Sequence, residues 1–102
     1  MKEYTASELT KYAIKYLTTQ GFKCWRQNNL AWGQRKGTIT PGIPDVLGFR
    51  KADAKFIGVE VKTKLDKMSE AQQQFKEELT RAGGIFIVMR QPEDLDTIKQ
   101  AI

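Results

Sequence analysis

Three ionisable residues stand where a folded chain has little reason to put them. The run Phe56–Lys62 (FIGVEVK) alternates Ile57, Val59 and Val61 as a half-buried strand does, yet it carries Glu60 and Lys62. Burying an unpaired ion costs several kcal/mol even after relaxation, so the pair must face solvent, neutralise each other, or do chemical work. Asp45 lies upstream, with fourteen residues between it and Glu60. Suppose Asp45–Arg50 and Phe56–Lys62 form an antiparallel hairpin about the polar turn Lys51–Lys55, centred on Asp53. Asp45 then falls opposite Val61, beside Glu60 and Lys62. Two carboxylates and an ammonium at one strand end are a poor way to stabilise a core. They are a good way to hold a divalent metal beside a water.

The elements that must position this trio read as follows. A helix is predicted from about Ala6 to Thr19, with Leu9, Tyr12, Ala13, Tyr16 and Leu17 at the helical interval, Thr5 and Glu8 at capping-box spacing, and Gly21 to end it. Phe22–Gln27 reads as a strand. Residues 28–44, rich in Asn, Gly, Thr and Pro, form a loop or irregular hairpin carrying Trp32, Arg35 and Lys36; so long a connection in a small domain is more often functional than inert. After the hairpin strands, Ser69 opens a second helix with Gln72 in the capping-box position. Ala71, Phe75, Leu79 and Ala82 make its buried stripe, and Gly83-Gly84 stops it. The apolar run Ile85–Arg90 predicts a central strand covered on both faces. Pro92, Leu95, Ile98 and Ile102 predict a short terminal helix. The order α-β-β-β-α-β-α points to an α/β fold, a mixed central sheet flanked by helices.

The absences restrict the chemistry. There is no histidine, which excludes His-based triads and His zinc sites, and Cys24 alone can form neither an intrachain disulfide nor a CxxC knuckle. Gly33–Thr38 (GQRKGT) fails the phosphate-loop pattern, so no nucleotide cofactor is expected. Any metal must be held by carboxylates, which suits Mg²⁺ or Mn²⁺. The 102 residues read as one domain spanning 1–102. With no apolar run of membrane-spanning length and no signal-peptide stretch at the start, the expectation is an intracellular protein without membrane contact. The net charge of +5 is uneven: residues 11–67 carry a net +8 and residues 68–102 a net −2. That asymmetry fits a polyanion partner for one side, or simply a solvated basic surface.

Pro44-Asp45 followed by Glu60-Val61-Lys62 resembles the PD-(D/E)XK nuclease superfamily, whose core has the same αβββαβ order. A narrower resemblance, to the VRR-NUC (virus-type replication-repair nuclease) group, is carried by Gly42-Ile43-Pro44-Asp45-Val46-Leu47-Gly48, Gly58-Val59-Glu60-Val61-Lys62-Thr63, and Ser69-Glu70-Ala71-Gln72 with Phe75 and Gly83-Gly84. A lone PD…EVK recurs by chance; the same pattern followed by SxxQxxF and GG at these spacings is specific. The resemblance implies metal ligation by Asp45, Glu60 and the Val61 carbonyl, and places Asp45, Glu60, Lys62 and Gln72 in the catalytic set. Mg²⁺ keeps several waters and takes one or two carboxylates, which matches so sparse a set. Lys62 would orient the attacking water, stabilise the phosphate transition state, or accept a proton. Gln72 also has a capping role that needs no other job. Glu8 is a further metal-ligand candidate, since an acidic residue on the first helix often completes the site in the superfamily; its bland role is to cap that helix with Thr5. Glu3 is the weaker substitute.

Phosphate contacts are expected from Arg26, Arg35, Lys36, Arg50, Lys51, Lys64 and Lys67, with Arg35-Lys36 in the glycine-flanked loop the best placed. Trp25 and Trp32 could stack on bases or pack at a subunit interface, but a tryptophan is more often core, and Trp25 is read so. Cys24 reads as an inert strand residue. The resemblance is to stand-alone phage or bacterial members acting inside the cell, similar in fold to Holliday-junction resolvases. It implies a Mg²⁺- or Mn²⁺-dependent endonuclease acting on branched DNA in replication, repair and recombination. A homodimer would present two sites to two strands. The alternative is a DNA-binding module that keeps the nuclease fold without catalysis, though that reading expects erosion of a charged set that is intact here.

Overall fold

The computed structural model describes residues 3–27, 40–63 and 65–98. Helix α1 spans Ala6–Thr19, strand β1 Phe22–Arg26, β2 Val46–Arg50, β3 Phe56–Val61, helix α2 Glu70–Arg81 and β4 Ile85–Met89; a 3₁₀ helix follows over Pro92–Thr97. The sheet order is β1-β2-β3-β4, antiparallel through β3 and parallel between β3 and β4. It is the mixed, helix-flanked sheet that the element order predicts.

Both helices start where the capping residues say. Thr5 Oγ1 accepts the Glu8 N–H at 3.1 Å and Glu8 Oε1 accepts the Thr5 N–H at 2.9 Å; Ser69 and Gln72 repeat this exchange at 3.1 and 2.8 Å. Helix α1 buries Leu9, Ala13 and Leu17 against the sheet face that carries Phe22, Val46, Ile57, Val59, Val61, Ile85, Ile87 and Met89. Leu95 and Ile98 close the same core, and each is fully buried. Tyr12, placed in the buried stripe by its spacing, is 45% exposed and stacks on Tyr16 instead. The helix presents a narrower face to the sheet than the periodicity suggests.

Three expectations are corrected. First, the β2–β3 register pairs Val46 with Val59 and Phe49 with Phe56, which sets Asp45 against Glu60 rather than Val61. Arg50 N–H bonds the Lys55 carbonyl, so the turn holds four residues, and Ala54 takes a left-handed φ of 65° to close it. The one-residue slip puts the Asp45 side chain on the Glu60 face of the sheet. Second, β4 is an edge strand. Its faces are covered by α2 on one side and by the core and the 3₁₀ helix on the other, which accounts for its apolar run although no strand lies beyond it among the described residues. Third, α2 lies on the surface: Ala71, Phe75 and Leu79 are half-buried, Ala82 is exposed, and Gln72 shares the inward stripe. The short helix expected from Pro92 is present, as a 3₁₀ helix over Pro92–Thr97. Ile102, Trp32 and most of the 28–44 loop lie outside the described residues.

Helix α2 covers the face bearing Gly58 and Glu60, over β3 and β4, and leaves the β1–β2 half of that face open. On this face Trp25, Phe49 and, from β3, Phe56 are exposed by 39%, 37% and 37%, with the Trp25 and Phe49 rings edge-to-face at 6.5 Å, while Leu47 beside them is only 8% exposed. Trp25 is therefore not a core residue. Among the described residues, no helix is long and apolar enough to cross a membrane.

Candidate active site

The GIPD and GVEVK segments are locked together by two close approaches. Gly42 has φ 77°, and a Cβ there would overlap the Ala71 carbonyl at the start of α2. A Cβ at Gly58 would sit 2.9 Å from the ring of Pro44, which is fully buried. The chain is thus pressed onto α2 at residue 42 and onto β3 at residue 44, and Asp45 follows with little freedom. Its carbonyl accepts the Gln27 N–H at 2.7 Å, and its Oδ2 accepts the Val61 N–H at 2.8 Å. In an extended strand the N–H and C=O of one residue project to the same side, so the Val61 carbonyl also projects toward Asp45.

Glu60 is 3% exposed. Its Oε2 accepts from Gln72 Nε2 at 3.0 Å and lies 3.5 Å from Lys62 Nζ. Its Oε1 is buried with no hydrogen-bond partner among the described residues. Burial, and then the Asp45 charge beside it, push the Glu60 carboxyl up to about 7, with the Lys62 ammonium acting in the opposite sense. A buried carboxylate oxygen left unsatisfied next to a second carboxylate is costly unless a cation completes it. The donor set fits Mg²⁺ or Mn²⁺: two carboxylates and a backbone carbonyl, all oxygen.

Asp45, Glu60, Val61, Lys62 and Gln72 therefore come together. Gln72 fills both of its sequence readings, because its Oε1 takes the Ser69 N–H while its Nε2 reaches Glu60. Glu8 does not join them. Its carboxylate sits on the cap of α1, and among the described residues no third acidic, histidine or cysteine side chain gathers with the two carboxylates. Glu3 likewise adds no ligand to the pair.

The basic candidates separate by position. Arg26, one residue before the Gln27–Asp45 contact, and exposed Lys67, between Lys62 and α2, lie at the carboxylate end of the sheet. Arg50 and Lys51 lie at the far end of the hairpin, roughly 17 Å of strand away. Arg50 is also spoken for: its Nε and a terminal nitrogen grip Asp53 at 2.8 and 2.5 Å. Arg35, Lys36 and Lys64 lie outside the described residues. Cys24 is half-buried, its thiol pushed up by burial and directed at the Ile14 carbonyl 3.6 Å away, as an inert residue should be. Sequence reasoning missed Arg90, whose guanidinium bonds the Thr63 and Asp66 carbonyls just beyond Lys62.

A search of curated proteins found no match. A solved structure described as "VRR_NUC domain" superposes with a TM-score of 0.63 at 22% identity, covering 94% of this chain and 97% of its own, a likeness of fold. The model of the VRR-NUC domain family matches residues 5–92, a span that holds both carboxylates, Lys62, Gln72 and every described strand. The chain belongs to the VRR-NUC domain family of the PD-(D/E)XK nuclease superfamily.

Proposed function

We propose that residues 1–102 form one nuclease domain, a Mg²⁺- or Mn²⁺-dependent endonuclease that hydrolyses DNA phosphodiester bonds. The observation that carries this reading is the buried, unsatisfied Glu60 Oε1 facing a site that Asp45 shares. Asp45, Glu60 and the Val61 carbonyl would hold the cation. When bound, such an ion lowers the pKa of a coordinated water and offsets charge developing on the phosphate. The residues of the chain do the rest. The Val61 N–H fixes the Asp45 carboxylate, and Gln72 fixes one Glu60 oxygen so that the other stays directed into the site. Lys62 Nζ, 3.5 Å from Glu60, would meet a scissile phosphate bound at the carboxylates, where it would balance negative charge or exchange a proton. Lys67, and Arg26 from the opposite face of the same sheet end, would be the candidates for contact with flanking phosphates.

Branched DNA is the substrate class this reading favours, cut by a homodimer. A domain of this size has little surface with which to grip a junction, and two copies would supply two sites. Support for a second copy comes from Trp25, Phe49 and Phe56, three exposed aromatics on one face of the sheet.

The test is a cleavage panel of four-way junctions, flaps, duplex and single strands with Mg²⁺ or Mn²⁺, beside sedimentation of the protein alone. Cleavage of branched substrates, abolished by Asp45→Asn and Lys62→Ala, is expected, from a protein that sediments as a dimer. DNA binding with no cleavage under either metal would refute catalysis in favour of a binding module.

A further inference from the structure

Lys62 and Gln72 flank the segment Thr63–Ser69, and both act on Glu60. The placement of that segment therefore sets how the two converge. Its packing is confined to its ends: Thr63 and Met68 are half-buried, whereas Leu65 is 87% exposed and Asp66 and Lys67 are exposed. Internal hydrogen bonds give it a shape. Asp66 Oδ2 accepts the Thr63 N–H at 3.3 Å and the Thr63 hydroxyl at 2.7 Å, and the Asp66 N–H returns to the Thr63 carbonyl at 3.0 Å. A turn shaped only from within can still swing as a unit on the sheet.

Arg90 ties it down. Its two terminal nitrogens donate to the Thr63 carbonyl at 3.1 Å and the Asp66 carbonyl at 2.8 Å. The parallel register pairs Val61 with Met89, and the Lys62 N–H bonds the Met89 carbonyl at 3.0 Å, so Arg90, the first residue after β4, follows alongside Lys62. Asp94 Oδ2 in turn accepts the Arg90 N–H at 2.8 Å, fixing the backbone from which the guanidinium reaches. A planar fork can meet two carbonyls at once, which a lysine ammonium cannot do in the same geometry.

We infer that Arg90 is a positioning residue for the reaction: it clamps the Thr63–Ser69 segment to β4 and so holds Lys62 and Gln72 in register on Glu60. The inference rests on the nuclease reading, but part of its test does not need activity. Wild type, Arg90→Ala, Arg90→Lys and Asp94→Ala are compared by steady-state cleavage well below their melting temperatures, by thermal melting, and by hydrogen exchange of the peptide covering 63–69. Misplacing a reactive group by an ångström costs on the order of 100-fold, so kcat should fall about 10- to 100-fold in Arg90→Ala with KM changed less than about 3-fold. Arg90→Lys should restore little of that loss, and exchange over 63–69 should rise in both. Asp94→Ala, which loosens the backbone behind the guanidinium, should lower kcat in the same sense as Arg90→Ala but by less. A rise in KM rescued by lysine would overturn the inference in favour of a phosphate contact. Loss of melting temperature alone would overturn it in favour of general stability, and unchanged exchange over 63–69 would overturn it even if wild type proved inactive. Inactive wild type with raised exchange in Arg90→Ala would refute the nuclease reading and leave the clamp standing.

Discussion

The buried Glu60 carboxyl makes a quantitative demand on the metal-free protein. Its pKa rises from 4.5 in the unfolded chain to about 7 in the folded one. A carboxyl that holds its proton more tightly when folded contributes stability that is fully present below about pH 4.5 and lost as pH climbs through 7. At 1.36 kcal/mol per unit, the shift corresponds to about 3 kcal/mol between pH 5 and pH 8, a large fraction of the stability of a small domain. The assay is urea unfolding in excess chelator at pH 5, 6, 7 and 8, for wild type and for Glu60→Gln. Glutamine is nearly isosteric, never ionises, and still offers Gln72 an acceptor. Asp53 and Asp66, whose pKa values are lowered by their hydrogen bonds to Arg50 and Thr63, lose their contributions only in more acidic solution. They cancel in the difference between the two proteins. That difference should shift against wild type by about 3 kcal/mol from pH 5 to pH 8. Saturating Mg²⁺ at pH 8 should then stabilise wild type and leave Glu60→Gln nearly unmoved. A pH-independent difference, or equal stabilisation of both by Mg²⁺, would refute the picture of a buried carboxylate waiting for a cation.

Three further outcomes are expected. Asp45→Asn keeps an acceptor for the Val61 N–H and should stay within about 1 kcal/mol of wild type, whereas Asp45→Ala orphans that donor and should cost about 1–3 kcal/mol. Both should lose cleavage by at least about 100-fold, and an active Asp45→Asn would remove the metal reading. Gly42→Ala forces a Cβ against the Ala71 carbonyl at positive φ and should cost about 3 kcal/mol by urea titration. Wild-type stability would mean the loop does not press on α2 as described. Glu8→Ala removes half of a capping box and should cost about 1 kcal/mol while calorimetric Mg²⁺ affinity stays unchanged; a drop in affinity would return Glu8 to the ligand set.

The parts of this molecule legible in the sequence are those written in periodicity and in misplaced charge. Leu9, Ala13 and Leu17 at helical spacing, with Thr5 and Glu8 before them, specify α1 to its boundaries. Glu60 and Lys62 mark the candidate site because two ions within FIGVEVK stand out against its apolar alternation. The register was not legible, since it turns on one residue of loop length, and the turn that decides it is closed by an alanine in a conformation that usually advertises itself with glycine or asparagine. β4 misleads for another reason: hydrophobicity reports that both faces of a strand are covered and is silent about its edges. Arg90 left no trace at all. It works through backbone carbonyls, which every residue possesses, so no partner side chain marks the contact.

The Gln72 amide serves two masters, its oxygen on the Ser69 N–H and its nitrogen on Glu60. Helix ends fray, and the first turn of α2 buries no side chain that would hold it shut. Each opening of that turn must therefore withdraw the Gln72–Glu60 contact at the same instant, so under the proposed nuclease function competence for reaction would be bounded by the equilibrium of a single helical turn. Substitutions far out on the solvent side of α2 that merely favour or disfavour its start should tune turnover without touching anything that meets the substrate.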